Sequence, residues 1–345
     1  MTTVSQVSES ELLAVFLPVL TAHNTRAESL RRVPADGALV VGPGDDSATL
    51  DLTGGLTVMS TDTQTENQDF RSVWPSGHTT GGYQVGWKLA TQNLADIAAM
   101  GATPVALLVS LSLPPVTPVT WVQDFARGLV ESTQHQGATT CTIAGGDLGR
   151  SAEISVTGTA VGLTRAPVTR DGAREGDAVV LAGALGAAAA GLALLETSGL
   201  RTMTESQLAC IAAQQQPVSP LLLGQRAAGH LNALMDISDG LVRDATRLAA
   251  ASHVRIDLHT RDLAPWVARV HETASLLTST DKAESTALGW VLTGGEDHAL
   301  MGTCDPTQIP TGFTKIGSVH AGSGVTVDGR TYTAKGWDHF EAGAR

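Results

Sequence analysis

Leu12, Leu13, Phe16, Val19 and Leu20 recur at the three-to-four spacing of one helix face, behind a capping-box pattern, Ser8-Glu9-Ser10-Glu11. The pattern predicts an opening helix of about 12 residues, followed by a polar loop rich in Arg. Short β-rich runs at 39–41, 48–52 and 56–60, separated by Gly-containing turns, read as strands in close succession. Asp45, Asp46 and Asp62 then fall at strand ends. Residues 82–100 contain no Pro and have helical periodicity, with Lys88, Asn93 and Asp96 on the helix and the last two sharing a face. A strand over 105–113 ends at Pro114-Pro115. A helix follows from Thr117-Pro118, threonine as cap and proline first inside. Further strands are expected at 140–144, running into Gly145-Gly146-Asp147, and at 153–162.

After Thr164-Arg165-Ala166-Pro167 the texture changes to Ala-rich helices, with strands at 177–182, 234–238, 254–258, 298–303 and 314–319. Two domains are expected, 1–165 and 166–345. Strands and helices mix without strict βαβ alternation, so each half reads as an α/β or α+β layer structure with helices on one face. Ala178 to Leu195 carries no charge and is long enough to raise the question of a membrane span. Gly183 and Gly186 would interrupt it, and a buried strand, a turn and a helix over 187–196 is the simpler reading.

Composition narrows the chemistry. Of 345 residues, 42% are hydrophobic and 16% charged, a balance suited to globular cores. The net charge of −12 disfavours a phosphate backbone as partner, so no nucleic acid is expected. The three cysteines, Cys141, Cys210 and Cys304, lack the spacing of a zinc site or disulfide framework, and a reducing cytoplasm fits. Met1 to Gln6 lacks the features of a signal peptide, and no membrane association is expected.

Acidic motifs then stand out, most beside Gly, Ser or Thr: Gly44-Asp45-Asp46, Ser60-Thr61-Asp62, Asn93-Leu94-Ala95-Asp96, Gly145-Gly146-Asp147, Asp236-Ile237-Ser238-Asp239 and Gly294-Gly295-Glu296-Asp297. Each has a plain alternative. The first is also a tight hairpin, the second a cap, the fourth a turn, Asp239 an N-cap and the last a turn before a strand. Asp96, between Leu94 and Ile97, is harder to dismiss, because a carboxylate there is costly to bury without a partner. Two bare carboxylates about 4 Å apart repel by roughly 4 kcal/mol at an effective dielectric of 20, so converging motifs would require cations. No P-loop, HExxH or GxGxxG occurs, so phosphates would have to be held through metals and scattered donors, with Lys88 and Arg150 as phosphate clamps.

The order of GPGDDSATL, STDT, NLADIAAMGATP, GGDLGR, TRDGAREGD, MDISDGL, TGGEDHAL and KGWDHF, from 42 to 340, resembles the thiamine-monophosphate kinases. These belong to the superfamily of aminoimidazole ribonucleotide synthetase. The resemblance implies a two-domain α/β (α+β) fold of that superfamily, with N-terminal sheets pairing across a homodimer and ATP near the subunit interface. It implies transfer of the ATP γ-phosphoryl group to thiamine monophosphate. By position, Asp46, Asp62, Asp96, Asp147, Asp236 and Asp239 resemble the family's magnesium ligands, with Ser60 and Thr61 adding oxygen. Gly146, Asp147, Arg170 and Ser238 resemble its ATP contacts, and Glu296 and Trp337 its substrate contacts. A C-terminal core anchor is the plainer alternative for Trp337, and the aromatic contact to the cationic thiazolium is the favoured reading.

One position departs from the family. Asp69 stands where a histidine commonly reaches the substrate phosphate, and Arg71 is a nearby source of positive charge. Selenophosphate synthetase is disfavoured because no lysine precedes Lys88 and no cysteine precedes Cys141. An aminoimidazole ribonucleotide synthetase-like enzyme and a non-catalytic metal- and nucleotide-binding protein are the remaining alternatives.

Overall fold

The computed structural model describes residues 2–7, 9–30, 38–41, 49–200 and 202–332. Its chain separates into two compact units, one of residues 1–74, 78–98 and 102–167, the other of residues 75–77, 99–101 and 168–345.

In the first unit, helix α1 spans Glu9–Leu30, much longer than its apolar pattern suggested, and carries Pro18 within it. The extension has a structural reason. Asn24 bonds both backbone groups of Ile143, Nδ2 donating to the carbonyl and Oδ1 accepting from the amide, each at 2.8 Å. His23 Nε2 meets the Cys141 carbonyl at 2.7 Å. These polar side chains do for an edge strand what a neighbouring strand would do, and no apolar periodicity announces it. The capping serine, Ser8, lies outside the described residues.

Strands β1 (Ala38–Val41) and β2 (Thr49–Asp51) form a two-stranded sheet. A four-stranded sheet is built from β3 (Leu56–Thr65), β4 (Thr103–Leu113), β5 (Thr142–Arg150) and β6 (Ser155–Thr164), in the order β3-β6-β4-β5. Only β4 and β5 run parallel within it. Helices α2 (Gly82–Ala99) and α3 (Val119–His135) pack closely because Gly82, Gly86 and Gly128 leave no side chain between them. A Cβ on any of the three would come within 2.2 Å of the facing backbone. Pro118, not Thr117, is the N-cap of α3, and no side chain caps it.

Helix α2 lies on β6 for the same steric reason. Gly158 and Gly162 both face it: an added Cβ would stand 2.5 Å from Asn93 Nδ2 at Gly158 and 2.4 Å from Ile97 Cγ2 at Gly162. Small residues on the sheet and a helix against them bring α2 side chains down to strand level.

The second unit holds a seven-stranded sheet. Its strands are β7 (Ala178–Ala182), β8 (Ala233–Ile237), β9 (Arg255–Leu258), β10 (Ala299–Cys304), β11 (Thr314–His320), β12 (Gly324–Val327) and β13 (Arg330–Thr331), ordered β13-β12-β9-β11-β7-β10-β8. Every residue of β7, β8 and β10 is buried, which explains the unbroken apolar run of β7 and the mostly apolar sequences of β8 and β10, where Asp236 and Thr303 are the buried polar exceptions. Helices α4 (Ala187–Glu196), α5 (Glu205–Gln215), α6 (Leu221–Ala227), α7 (Leu241–Ser252), α8 (Thr260–Leu277) and α9 (Thr280–Thr293) complete the unit. The uncharged stretch from Ala178 thus forms β7, a turn and α4, and no helix among the described residues is long and apolar enough to cross a membrane.

Candidate functional site

In the first unit, β3 runs on to Thr65, so Asp62 sits inside a strand and not at its end. Alternation along β3 sends Ser60, Asp62 and Gln64 to the α2 side and Met59, Thr61 and Thr63 to the other. The Ser60 hydroxyl donates to Asp96 Oδ2, and Gln64 Nε2 donates to Gln92 Oε1 at 2.6 Å, both acceptors on α2. Ser60, Asp62 and Asp96 are therefore gathered between sheet and helix. Thr61 is on the opposite face, where its Oγ1 donates to the Gly158 carbonyl at 2.8 Å and meets Thr159 Oγ1 at 3.1 Å. Its hydroxyl does not join the other three oxygens.

Gly145-Gly146-Asp147 is not a turn but the middle of β5, with a bulge at its start. Gly145 has φ of 148°, and a Cβ on Gly146 would lie 1.7 Å from the Val109 carbonyl oxygen. These glycines allow the strand to bend against β4. In register, Thr63, Thr157, Ser110 and Asp147 form one row across the sheet. Asp147 on one edge strand and Asp62 on the other are separated by three strand spacings, about 14 Å. Carboxylates that far apart cannot share one cation within one sheet. Arg150, an odd number of residues from Asp147 on the same strand, points to the face opposite it.

Lys88 is buried on α2, its Nζ 3.4 Å from the Asp69 carbonyl oxygen. The Asp69 carboxylate turns back to its own loop, accepting the Thr65 amide at 2.7 Å. Arg71 lies over the Trp74 ring, 5.7 Å from its centroid.

In the second unit two motifs converge. The loop after β8 and the loop before β10 run side by side, Glu296 N donating to Ser238 O at 2.8 Å and His298 N to Ile237 O at 3.0 Å. Glu296 and His298 both have positive φ, 67° and 50°. Asp236 is the penultimate residue of β8, buried, with His298 Nδ1 3.5 Å from its carboxylate. Glu296 Oε2 accepts from Gln214 Nε2 on α5 at 3.1 Å. Thr169 O meets Leu234 N at 3.4 Å, so the short turn Arg170–Gly172 runs beside β8, with the Arg170 side chain exposed.

Asp239 is not the cap of α7; Gly240, with φ of 114°, takes that position. The Asp239 carboxylate is held instead by Arg247 Nη2 at 2.7 Å and Arg243 Nε at 3.7 Å. Fully buried Asp244 accepts the amides of Ser238 at 3.1 Å and Asp239 at 2.9 Å, and pairs with Arg247 Nη1 at 2.7 Å. Burial pushes its carboxyl up to about 6, aided by Asp239 and Asp236, while the Asp239 amide and Arg247 pull the other way. Asp297 is also fully enclosed and caps α4, accepting the amides of Gly186 at 2.5 Å and Ala188 at 3.0 Å. Desolvation raises it to about 7 against those hydrogen bonds.

Asp244, Arg247 and Gln214 were not singled out from the sequence, and Asp297, part of the last acidic motif, turns out to cap a helix. A signal for Asp244 was present: it falls on the buried stripe of α7 with Leu241, Ala245 and Leu248, where a charge demands a partner. Asp46 and Trp337 lie outside the described residues.

All gathered donors are carboxylate, hydroxyl and carbonyl oxygens, the hard set that suits magnesium. Among the described residues no group of three or more His, Cys, Asp or Glu side chains already stands ready to enclose a metal. The residues fit an ion that keeps waters and shares phosphate oxygens, not an all-protein cage.

Two units carrying oxygen-rich loops, without a P-loop, define the class. Residues 44–164 match the AIR synthase related protein N-terminal domain, and residues 174–329 its C-terminal domain. The chain is 38% identical over 320 residues to thiamine-monophosphate kinase of Mycobacterium tuberculosis (strain ATCC 25618 / H37Rv), covering 90% of this chain and 88% of that one. It is 34% identical over 301 residues to that of Aquifex aeolicus, covering 86% and 92%. A solved structure described as AaThiL complexed with AMPPCP and TMP is 29% identical with a TM-score of 0.72, covering 99% of each chain. The chain belongs to the thiamine-monophosphate kinase family, within the AIR synthase related proteins.

Proposed function

We propose that this chain is a thiamine-monophosphate kinase: it transfers the γ-phosphoryl group of ATP directly to the phosphate of thiamine monophosphate, giving thiamine diphosphate and ADP. The observation that carries the reading is 38% identity across 90% of the chain to a kinase of that name. The relative solved in complex with AMPPCP and TMP, aligned over 99% of both chains, supports the choice of both substrates.

A phosphate monoester is already a nucleophile at neutral pH, so the protein needs no strong general base. Its task is to align two polyanions and offset their repulsion. Ser60, Asp62 and Asp96 in one unit, and Asp236 and Asp239 in the other, would hold magnesium, which neutralises phosphate charge when bound. Asp46, Asp147 and the backbone of Thr61 are further ligands in this reading. Gly146, Arg170 and Ser238 contact ATP, Lys88 and Arg150 offset phosphate charge, and Glu296, Asp69 and Trp337 contact the acceptor. No residue takes the phosphoryl group covalently.

The protein acts as a homodimer through the outer face of the four-stranded sheet, where Met59 is 66% exposed beside Thr61 and Thr159. A cytoplasmic location belongs to the same reading, since ATP is the co-substrate.

Incubation with ATP, magnesium and thiamine monophosphate, followed by chromatography, should yield thiamine diphosphate. Asp96→Asn and Asp236→Asn should each lower kcat by at least about 100-fold while far-UV circular dichroism stays unchanged. Turnover of aminoimidazole precursors without formation of thiamine diphosphate would overturn the assignment.

A further inference from the structure

The loop carrying Asp236, Ser238 and Asp239 has its own internal cations. Arg247 reaches across two carboxylates with its two terminal nitrogens, Asp239 on one side and Asp244 on the other, both at 2.7 Å. Arg243, one turn earlier on α7, approaches Asp239 from the same helix at 3.7 Å. Asp244 is fully buried and already bonded to the amides of Ser238 and Asp239, so it has reason to keep its arginine contact. Asp239 differs. Its side chain retains 20% exposure and that of Arg247 41%, so this half of the bridge can exchange with solvent species.

We propose that Arg247 is the resident counter-charge of Asp239, holding that carboxylate in place until a divalent cation takes it over, so that cation entry exchanges an arginine for a metal. The proposal rests on the reading of Asp239 as a magnesium ligand. Asp244 is the fixed point of this exchange: it keeps the loop amides in position and retains Arg247 Nη1 while Nη2 is released. The freed Nη2 then carries a positive charge beside the loop, available to a phosphate that arrives with the metal.

The test is binding of Mn2+ alone to the full chain without nucleotide, followed by electron paramagnetic resonance. Arg247→Met keeps the aliphatic stem and removes the competitor, and should tighten Mn2+ binding about fivefold, the factor expected for a half-exposed ion pair. Asp239→Asn should weaken binding, and the double variant should lose the gain of Arg247→Met. If Arg247→Met fails to fold because Asp244 loses its partner, Arg243→Gln should give a smaller change in the same direction. Equal or weaker Mn2+ binding in a folded Arg247→Met, or in Arg243→Gln where that variant must serve, would overturn the exchange. If Asp239→Asn leaves Mn2+ binding unchanged, the exchange fails together with the metal role of Asp239. Formation of thiamine diphosphate by the wild-type chain would still stand.

Discussion

Two carboxylates show how neighbours decide what an aspartate does. Asp297, raised to about 7 chiefly by burial, binds a proton more readily folded than unfolded. The stability this proton contributes is complete below the ordinary carboxylate range near pH 4 and disappears as pH rises through 7. Urea denaturation at several pH values should therefore find Asp297→Asn gaining on the wild type between pH 4 and pH 7. A pH-independent offset is expected from the amide that replaces one acceptor of the α4 cap. A constant difference across the range would refute the buried-proton account. Asp69, in contrast, spends its carboxylate on the Thr65 amide. Asp69→Asn keeps an acceptor and removes the charge, so it should lower KM for thiamine monophosphate with KM for ATP and the melting temperature unchanged. A raised KM for thiamine monophosphate alone would mean that the carboxylate is used positively.

The elements themselves were largely legible where periodicity was strong. Residues 82–99 form the helix their pattern promised, and 187–196 became α4. Two segments were misread for the same physical reason. Gly145-Gly146-Asp147 has turn composition, yet bonding to β4 makes it strand, because Gly146 permits backbone contact that a side chain would forbid. The far half of α1 looks like polar loop, yet His23 and Asn24 are buried against β5. Tertiary partners overrode local propensity in both. The closeness of α2 to β6 is testable at this scale. Gly158→Ala would press on Asn93 and Leu89, and should cost about 1–3 kcal/mol in denaturant unfolding. It should also separate Ser60 from Asp96 and so lower kcat. Unaltered stability would mean that the helix has room to shift.

For the whole molecule, the dimer reading gives a prediction independent of catalysis. Specific interfaces bury about 1,600 Å² in total, and a like charge placed twice across a two-fold contact is strongly disfavoured. Met59→Glu should convert the dimer to monomer in analytical ultracentrifugation, whereas Leu276→Glu, at an exposed position on α8, should not. A sedimentation profile unchanged by Met59→Glu would remove the outer sheet face from the interface. The net charge of −12 predicts no retention on double-stranded DNA at physiological salt. What the amino-acid order determined alone was the inventory: which segments are apolar, where carboxylates lie beside small residues, and the succession of motifs shared with one kinase family. These properties are local and survive without a fold. Only tertiary packing decided that Ser60 meets Asp96, that Thr61 faces away, that Asp147 and Asp62 occupy opposite sheet edges, and that Asp239 rests on Arg247. An acidic side chain acquires its role from the donor packed against it, and that donor is brought there by packing across the fold.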